Sequence, residues 1–215
     1  MEKIAVIDYG MGNLHSVATA LEATGEEVEV VVTGQADIIR GADKVVFPGV
    51  GALGNCVAAL RRSGVLPALR ESLDQKPCLG ICLGMQALMT HSEENGGTAG
   101  LGVIEGEVRR FDSGPDGARV SGNALKVPHM GWNRVVQVVD HPLWRGVPQD
   151  SWFYFVHSYY VIPKDQRLVA GQCHYGRPFA AAVAKDNLFA VQFHPEKSQR
   201  IGIRLLRNFL RWNGR

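Results

Sequence analysis

Apolar residues along this chain recur in two periods, and the switching between them lays out its elements. In the first half, short runs rich in valine and isoleucine alternate with segments whose apolar positions fall three and four apart. The pattern predicts strands over 3–8, 27–32, 44–47 and 78–81, and helices over 13–24, 52–63 and 83–91. Alternation of this kind argues a parallel, doubly wound sheet. Further on, apolar runs over 134–138, 153–156, 159–162, 168–173, 179–184 and 188–193 follow one another with turns and little helix, so antiparallel strands are expected to extend the sheet.

The last predicted helix runs over 198–212, with Ser198 as its cap. Ile201, Leu205, Phe209 and Trp212 lie on one face, while Arg204, Arg207 and Arg211 fall on another and are expected to be solvated. The Gly/Pro-rich stretch 112–117 reads as a hairpin tip or surface loop. No repeat, low-complexity tract or linker interrupts the chain. The expected architecture is one α/β domain over 1–215, an open mixed, mostly parallel sheet flanked by helices.

Composition narrows the function classes. Of 215 residues, 46% are apolar and 20% charged, which describes a globular chain with a sizeable core. Lysine plus arginine number 23 against 21 acids, and aromatics are not interleaved with basic clusters, so no nucleic-acid groove is expected. The first eight residues carry a four-residue apolar run, too short for a signal core or a membrane span. Four cysteines without paired zinc-ligand spacing fit a reducing, cytoplasmic setting.

The chemistry concentrates at 77–86, where Cys82 stands between Gly80 and Gly84 at the point where a strand should turn into a helix. That is the pattern of a nucleophile elbow, in which small residues two before and two after give a strained turn room to close. A thiol so placed faces the amino end of the helix, where free N–H groups favour the thiolate. By itself the elbow is compatible with ester, peptide or amide hydrolysis.

A cysteine hydrolase needs a base and a group that fixes the base's tautomer. His194-Pro195-Glu196 follows the apolar run 188–193, and residues two apart in extended backbone project to the same side, so Glu196 can orient His194. One oxyanion donor is expected from the Leu83 backbone N–H, and a second from Val50 in the loop Pro48-Gly49-Val50-Gly51. Gly49 beside Val50 would let the intervening peptide turn over at low steric cost, giving the hole made and unmade forms. The loop 8–13, the loop 48–51, Cys82 and 194–196 each follow a predicted strand, and ligands gather at the carboxyl ends of such strands.

Other features carry no chemistry of their own. Gly10-Met11-Gly12 follows the first strand like a dinucleotide loop, but position 15 is His15 rather than a third glycine, and no cofactor is expected. The histidines at 15, 91, 129, 141, 157 and 174 form no metal pattern, so no metal is expected either. Cys56, Cys78 and Cys173 read as core thiols.

With Gly80-Ile81-Cys82-Leu83-Gly84-Met85-Gln86, Pro48-Gly49-Val50-Gly51 and His194-Pro195-Glu196 in this order, the chain resembles the triad-type (class I) glutamine amidotransferases over nearly its whole length. Within them, Asp8-Tyr9-Gly10-Met11-Gly12-Asn13-Leu14 and Pro128-His129-Met130-Gly131-Trp132-Asn133 look like the glutaminase subunits of imidazole glycerol phosphate synthases, as does Met85. The resemblance implies a flavodoxin-like fold. It further implies that Cys82 attacks the side-chain amide of glutamine, that His194 protonates departing ammonia, and that water releases glutamate from a thioester. It also implies substrate contacts at Gly51, Gln86, Glu94, Ser158 and Tyr159, the last two mainly through backbone groups.

The chain ends before a synthase domain could begin, and ammonia freed into water becomes largely ammonium, so a partner that receives ammonia directly is expected. The resemblance implies a cyclase subunit with a β/α barrel fold, forming a heterodimer, with Asn13, Trp132 and Lys197 on the docking side. Three rivals remain open: a glutaminase for another synthase, such as anthranilate or aminodeoxychorismate synthase; a cysteine peptidase or deglycase-like enzyme; and a catalytically silent binding subunit.

Overall fold

The structure, a computed structural model, describes residues 1–112, 119–120 and 123–215, with side chains for 1–112 and 125–215. The loop expected over 112–117 lies, apart from Asp112, outside the described residues. The helices are α1 (Leu14–Glu22), α2 (Ala36–Gly41), α3 (Leu53–Arg62), α4 (Leu66–Gln75), α5 (Leu83–Ala87) and α6 (Gln199–Arg211). The strands of the first half are β1 (Glu2–Ile7), β2 (Val28–Thr33), β3 (Lys44–Gly49), β4 (Cys78–Cys82), β5 (Met89–Ser92), β6 (Thr98–Ala99) and β7 (Ile104–Arg110). Those of the second half are β8 (Arg119–Val120), β9 (Asn123–Ala124), β10 (His129–Gln137), β11 (Ser151–His157), β12 (Tyr159–Pro163), β13 (Val169–Tyr175), β14 (Arg177–Lys185) and β15 (Leu188–Val191).

Thirteen strands form one mixed sheet in the order β2-β1-β3-β4-β15-β14-β12-β7-β5-β6, with β13 joining β14 to β10, and β10 pairing β11. β8 and β9 make a separate ribbon. The block from β2 to β15 is parallel, and it is this block that carries the site. Its strands are apolar almost throughout because both faces are covered. Along β1, Ile4 and Val6 pack on one side with α1 and α6, through Leu21, Leu205, Leu206 and Phe209. Ala5 and Ile7 pack on the other with α3 and α4, through Leu53, Leu60, Leu69 and Leu73.

Three expectations change. The helix predicted over 83–91 stops at Ala87, and Met89–Ser92 is a strand paired with β7 and β6. The chain passing at 101–104 takes the carbonyls that would have continued the helix: Leu101 N donates to Ala87 O at 2.7 Å, and Ile104 N to Leu88 O at 3.0 Å. The apolar pattern predicts neither helices α2 and α4 nor strand β7. The arginine row on α6 is not simply solvated, since Arg207 donates to Thr24 O and Arg211 pairs with Glu26 at 2.7 Å, fastening α6 to the turn between α1 and β2. Among the described residues no helix is long and apolar enough to cross a membrane.

Candidate active site

Strand β4 ends on Cys82, whose backbone stands at φ 54°, ψ −109°. That conformation is strained for a residue bearing a Cβ, and its neighbours supply the room. A Cβ added at Gly84 would lie 2.0 Å from Phe47 O, and one at Gly80 would lie 2.9 Å from Ala190 Cβ. Helix α5 therefore starts hard against β3, and Leu83, its first residue, has a backbone N–H with no acceptor inside the helix. Sheet register brings the other parts to the same edge. Gly49 lies opposite Cys82 on β3, and Val191, three residues before His194, lies opposite Ile81 on β15.

His194 continues in extended backbone (φ −101°, ψ 97°), and its N–H donates to Tyr154 O at 2.9 Å. Its Nδ1–H donates to Glu196 Oε1 at 2.8 Å, with both side chains almost fully buried. This bond fixes the ring so that Nε2 is the nitrogen left for proton transfer. His194 Nε2 and Glu196 Oε2 are buried without hydrogen-bond partners, so no aligned bond yet joins Nε2 to the thiol. Burial works against a charged imidazole here, but the Cys82 sulfur and the Glu196 carboxylate outweigh it, and His194 is pushed up to about 10.

Cys82 and His194 line one cavity of about 200 Å³ together with Val50, Gly51, Leu83, Gln86, His157 and Lys197. A larger hollow of about 360 Å³ lies between Thr90, Glu105 and Lys164, but it holds no thiol, so size does not mark the site. A thiol at a helix start, a histidine oriented by a carboxylate, and a free N–H beside the sulfur are the parts acyl transfer requires.

A family model described as glutamine amidotransferase class-I matches residues 5–212. The chain belongs to the class I glutamine amidotransferases. A Methylococcus capsulatus protein named imidazole glycerol phosphate synthase subunit HisH is 57% identical over 213 residues, spanning 99% of this chain and 97% of its own. A protein of the same name from Pseudomonas syringae pv. syringae is 54% identical over all of both chains. PurLQS from Thermotoga maritima superposes with a TM-score of 0.71 over 98% of each chain at 18% identity, a likeness that speaks for the fold alone.

In this amidotransferase two further polar residues adjoin Cys82, Gln192 beside the sulfur and His157 in the same cavity, and His129 backs His157; the sequence pattern assigns none of the three a role in the site. Gln192 Nε2 lies 3.6 Å from Cys82 Sγ. His157 Nδ1 donates to Tyr159 O at 2.7 Å, leaving Nε2 to accept from His129 Nδ1 at 2.9 Å, and His129 Nε2 then accepts from Asn133 Nδ2 at 3.1 Å. A main-chain carbonyl can only accept, so these tautomers follow from Tyr159 O. Burial keeps both rings neutral, pushing His129 down to about 4 and His157 to about 3, the latter helped by His129 and His194 nearby. The available signal is a polar residue within or at the end of an apolar run, Gln192 in 188–193 and His157 after 153–156.

Because these histidines charge more readily when unfolded, the unfolded state binds more protons at acid pH. Their contribution to stability is complete above about pH 6.5 and is lost as pH falls toward 4 and 3. The unfolding free energy, read from denaturant titrations, is expected to drop over that window with a slope of up to about 1.4 kcal/mol per pH unit for each such histidine. His157→Gln should flatten the dependence by up to one such increment, and an unchanged slope would remove His157 from this account.

The remaining expected residues fall as follows. Val50 is 41% exposed at the cavity edge. Gly51 adopts φ +95°, and Gly49 is crowded as well as small, because a Cβ there would lie 2.5 Å from Tyr9 Oη and 3.0 Å from Leu83 Cβ. Tyr9 Oη donates to Pro48 O at 2.9 Å, tying the β1 loop to the β3 loop. Glu94 lies outside the cavity lining, its Oε2 accepting from Leu53 N at 2.6 Å. Ser158 O accepts from Phe111 N at 3.0 Å, and Tyr159 contributes its carbonyl. Lys197 reaches the cavity, Asn13 precedes α1, and Trp132 is 43% exposed with its ring edge-on to Tyr154. Burial pushes Cys56 to about 11 and Cys78 and Cys173 to about 12, consistent with inert core thiols.

Proposed function

We propose that this chain is the glutaminase subunit of an imidazole glycerol phosphate synthase. The reading rests on 57% identity to a subunit of that name over nearly the whole of both chains, joined to a cavity holding a thiol, a base and its orienting acid. Cys82 gives its proton to His194 Nε2, and the sulfur attacks the side-chain carbonyl carbon of glutamine. Backbone N–H groups of Leu83 and Val50 receive the oxyanion. His194, held by Glu196, passes the proton to the departing nitrogen, and ammonia leaves. Water, deprotonated by the same ring, then opens the thioester to give glutamate and restore the thiol. Gln86 and Glu94 are assigned the amino-acid end of the substrate and Gly51 its carbonyl region, with Ser158 and Tyr159 lining the pocket mainly through backbone groups.

Ammonia protonated in bulk water is no nucleophile, so it passes to a cyclase subunit of β/α barrel fold docked over this edge as a heterodimer in the cytoplasm. The cyclase uses it to form imidazole glycerol phosphate and aminoimidazole carboxamide ribotide in histidine biosynthesis. Asn13, Trp132 and Lys197 belong to the docking side; exposed Met130, on the same face of β10 as Trp132, supports this. No cofactor or resident metal enters the reaction.

Co-purification with the cyclase, followed by assay of glutamine-dependent product formation, tests the proposal. Product is expected with the cyclase, and glutamine turnover should rise by at least about tenfold when cyclase and nucleotide are added, as a loop completed by docking would give. Equal turnover with and without them removes the gating role of 48–51. Product formed with an anthranilate or aminodeoxychorismate synthase instead would overturn the assignment of partner.

A further inference from the structure

We propose that Gln192 is a further catalytic residue, whose carboxamide N–H donates to the Cys82 sulfur and stabilises it as the thiolate. The proposal rests on Cys82 being the nucleophile. Gln192 is wholly buried just past β15, with Nε2 3.6 Å from Cys82 Sγ. Its Oε1 accepts from Gln86 Nε2 at 3.0 Å, and the same Gln86 nitrogen donates to Tyr159 O at 3.0 Å.

These contacts leave no freedom in the direction of either amide. A main-chain carbonyl only accepts, so Gln86 must turn its nitrogen to Tyr159 O. That nitrogen also reaches Gln192, so Gln192 must turn its oxygen to Gln86 and its nitrogen to the sulfur. Flipping either amide would set two acceptors or two donors against each other. Gln86 and the Tyr159 carbonyl are thus positioning groups for a donor aimed at the nucleophile. A thiolate accepts such a bond far better than a thiol, and buried donors to charged groups are the strong ones. The same donor assists when the thioester breaks, because the sulfur departs as thiolate.

Other charged or titratable groups also adjoin this sulfur: His194 from the turn after β15, with Glu196 behind it on Nδ1, Tyr9 from the loop after β1, Lys197 at the cavity edge, and His157 on β11. Gln192 is uncharged across the working range, so its effect appears as an offset of the pH profile rather than as a new titration. The test is alkylation of Cys82 by iodoacetamide as a function of pH, read by mass spectrometry. Gln192→Met keeps the volume and removes the donor. Its alkylation midpoint is expected to rise by about one pH unit, with kcat for glutamine reduced roughly ten- to hundredfold and KM changed less.

Gln192→Glu keeps the shape and the oxygen that Gln86 needs but sets a carboxylate against the sulfur, and should raise the midpoint further. If Gln192→Met fails to fold, Gln192→Leu, which likewise lacks the donor and adds no charge, decides the question. A role in packing only would alter melting without moving the midpoint. A profile superimposing on that of the unsubstituted protein, in a folded variant, overturns the proposal. Alkylation requires no glutamine, so absent glutamine turnover by the unsubstituted chain with cyclase and nucleotide present would sink the functional reading while leaving this measurement intact.

Discussion

Cys82→Ala is expected to abolish glutamine hydrolysis, with a loss on the order of 10⁴-fold or more, while the cyclase still binds. Removing a nucleophile leaves only what the oxyanion donors and substrate binding contribute, and members of such a triad act as a unit. The substitution removes one atom from a 6% exposed side chain, so the docking edge should be undisturbed. Retained hydrolysis in the purified variant would remove Cys82 from its role. Lost co-purification with intact folding would mean that the sulfur matters to assembly.

Gly84→Ala is expected to destabilise the chain by roughly 3 kcal/mol or more, and to remove activity in whatever protein still folds. The added methyl would sit 2.0 Å from Phe47 O, a main-chain atom held in the β3–β4 ladder, so relief requires shifting α5 from the sheet. That shift would move Leu83 N–H and Cys82 together. Gly41→Ala is the matched control, since nothing lies within 4 Å of a Cβ there, and it should stay within about 0.5 kcal/mol of the unsubstituted chain. Equilibrium urea unfolding of the three proteins reads the difference directly. Equal midpoints would show that the contact yields without cost.

The parallel block was legible because its strands are apolar runs covered on both sides, and the meeting of Cys82 with His194 and Glu196 because they sit in two short motifs at strand ends. Helix α2 left no trace because only Ile39 among its six residues is buried, too few to set a period. The helix expected through His91 misled because Met85, Leu88 and Met89 are all fully buried, a run equally readable as helix or strand. What decided between them was a set of carbonyl partners at 101–104. Gln192 and the His129–His157 pair were illegible for a related reason. Their meaning lies in contacts spanning 106 and 110 positions for Gln192, and 28 for the histidines, which no local pattern records.

Helix α6 begins directly after the turn that bears His194, and the two are joined without slack. A Cβ at Gly202 would lie 1.8 Å from Pro195 O. Ser198 Oγ donates to His194 O at 2.7 Å and accepts from Tyr154 N at 3.0 Å. At its far end the helix is held by Arg207 on Thr24 O and by Arg211 on Glu26. The turn bearing His194 and the last helix are therefore expected to open as one unit, with amides that exchange with solvent together. Fraying at the far end of α6, more than a dozen residues from His194, would reach that ring before it reached Cys82, which is mounted on the central strands.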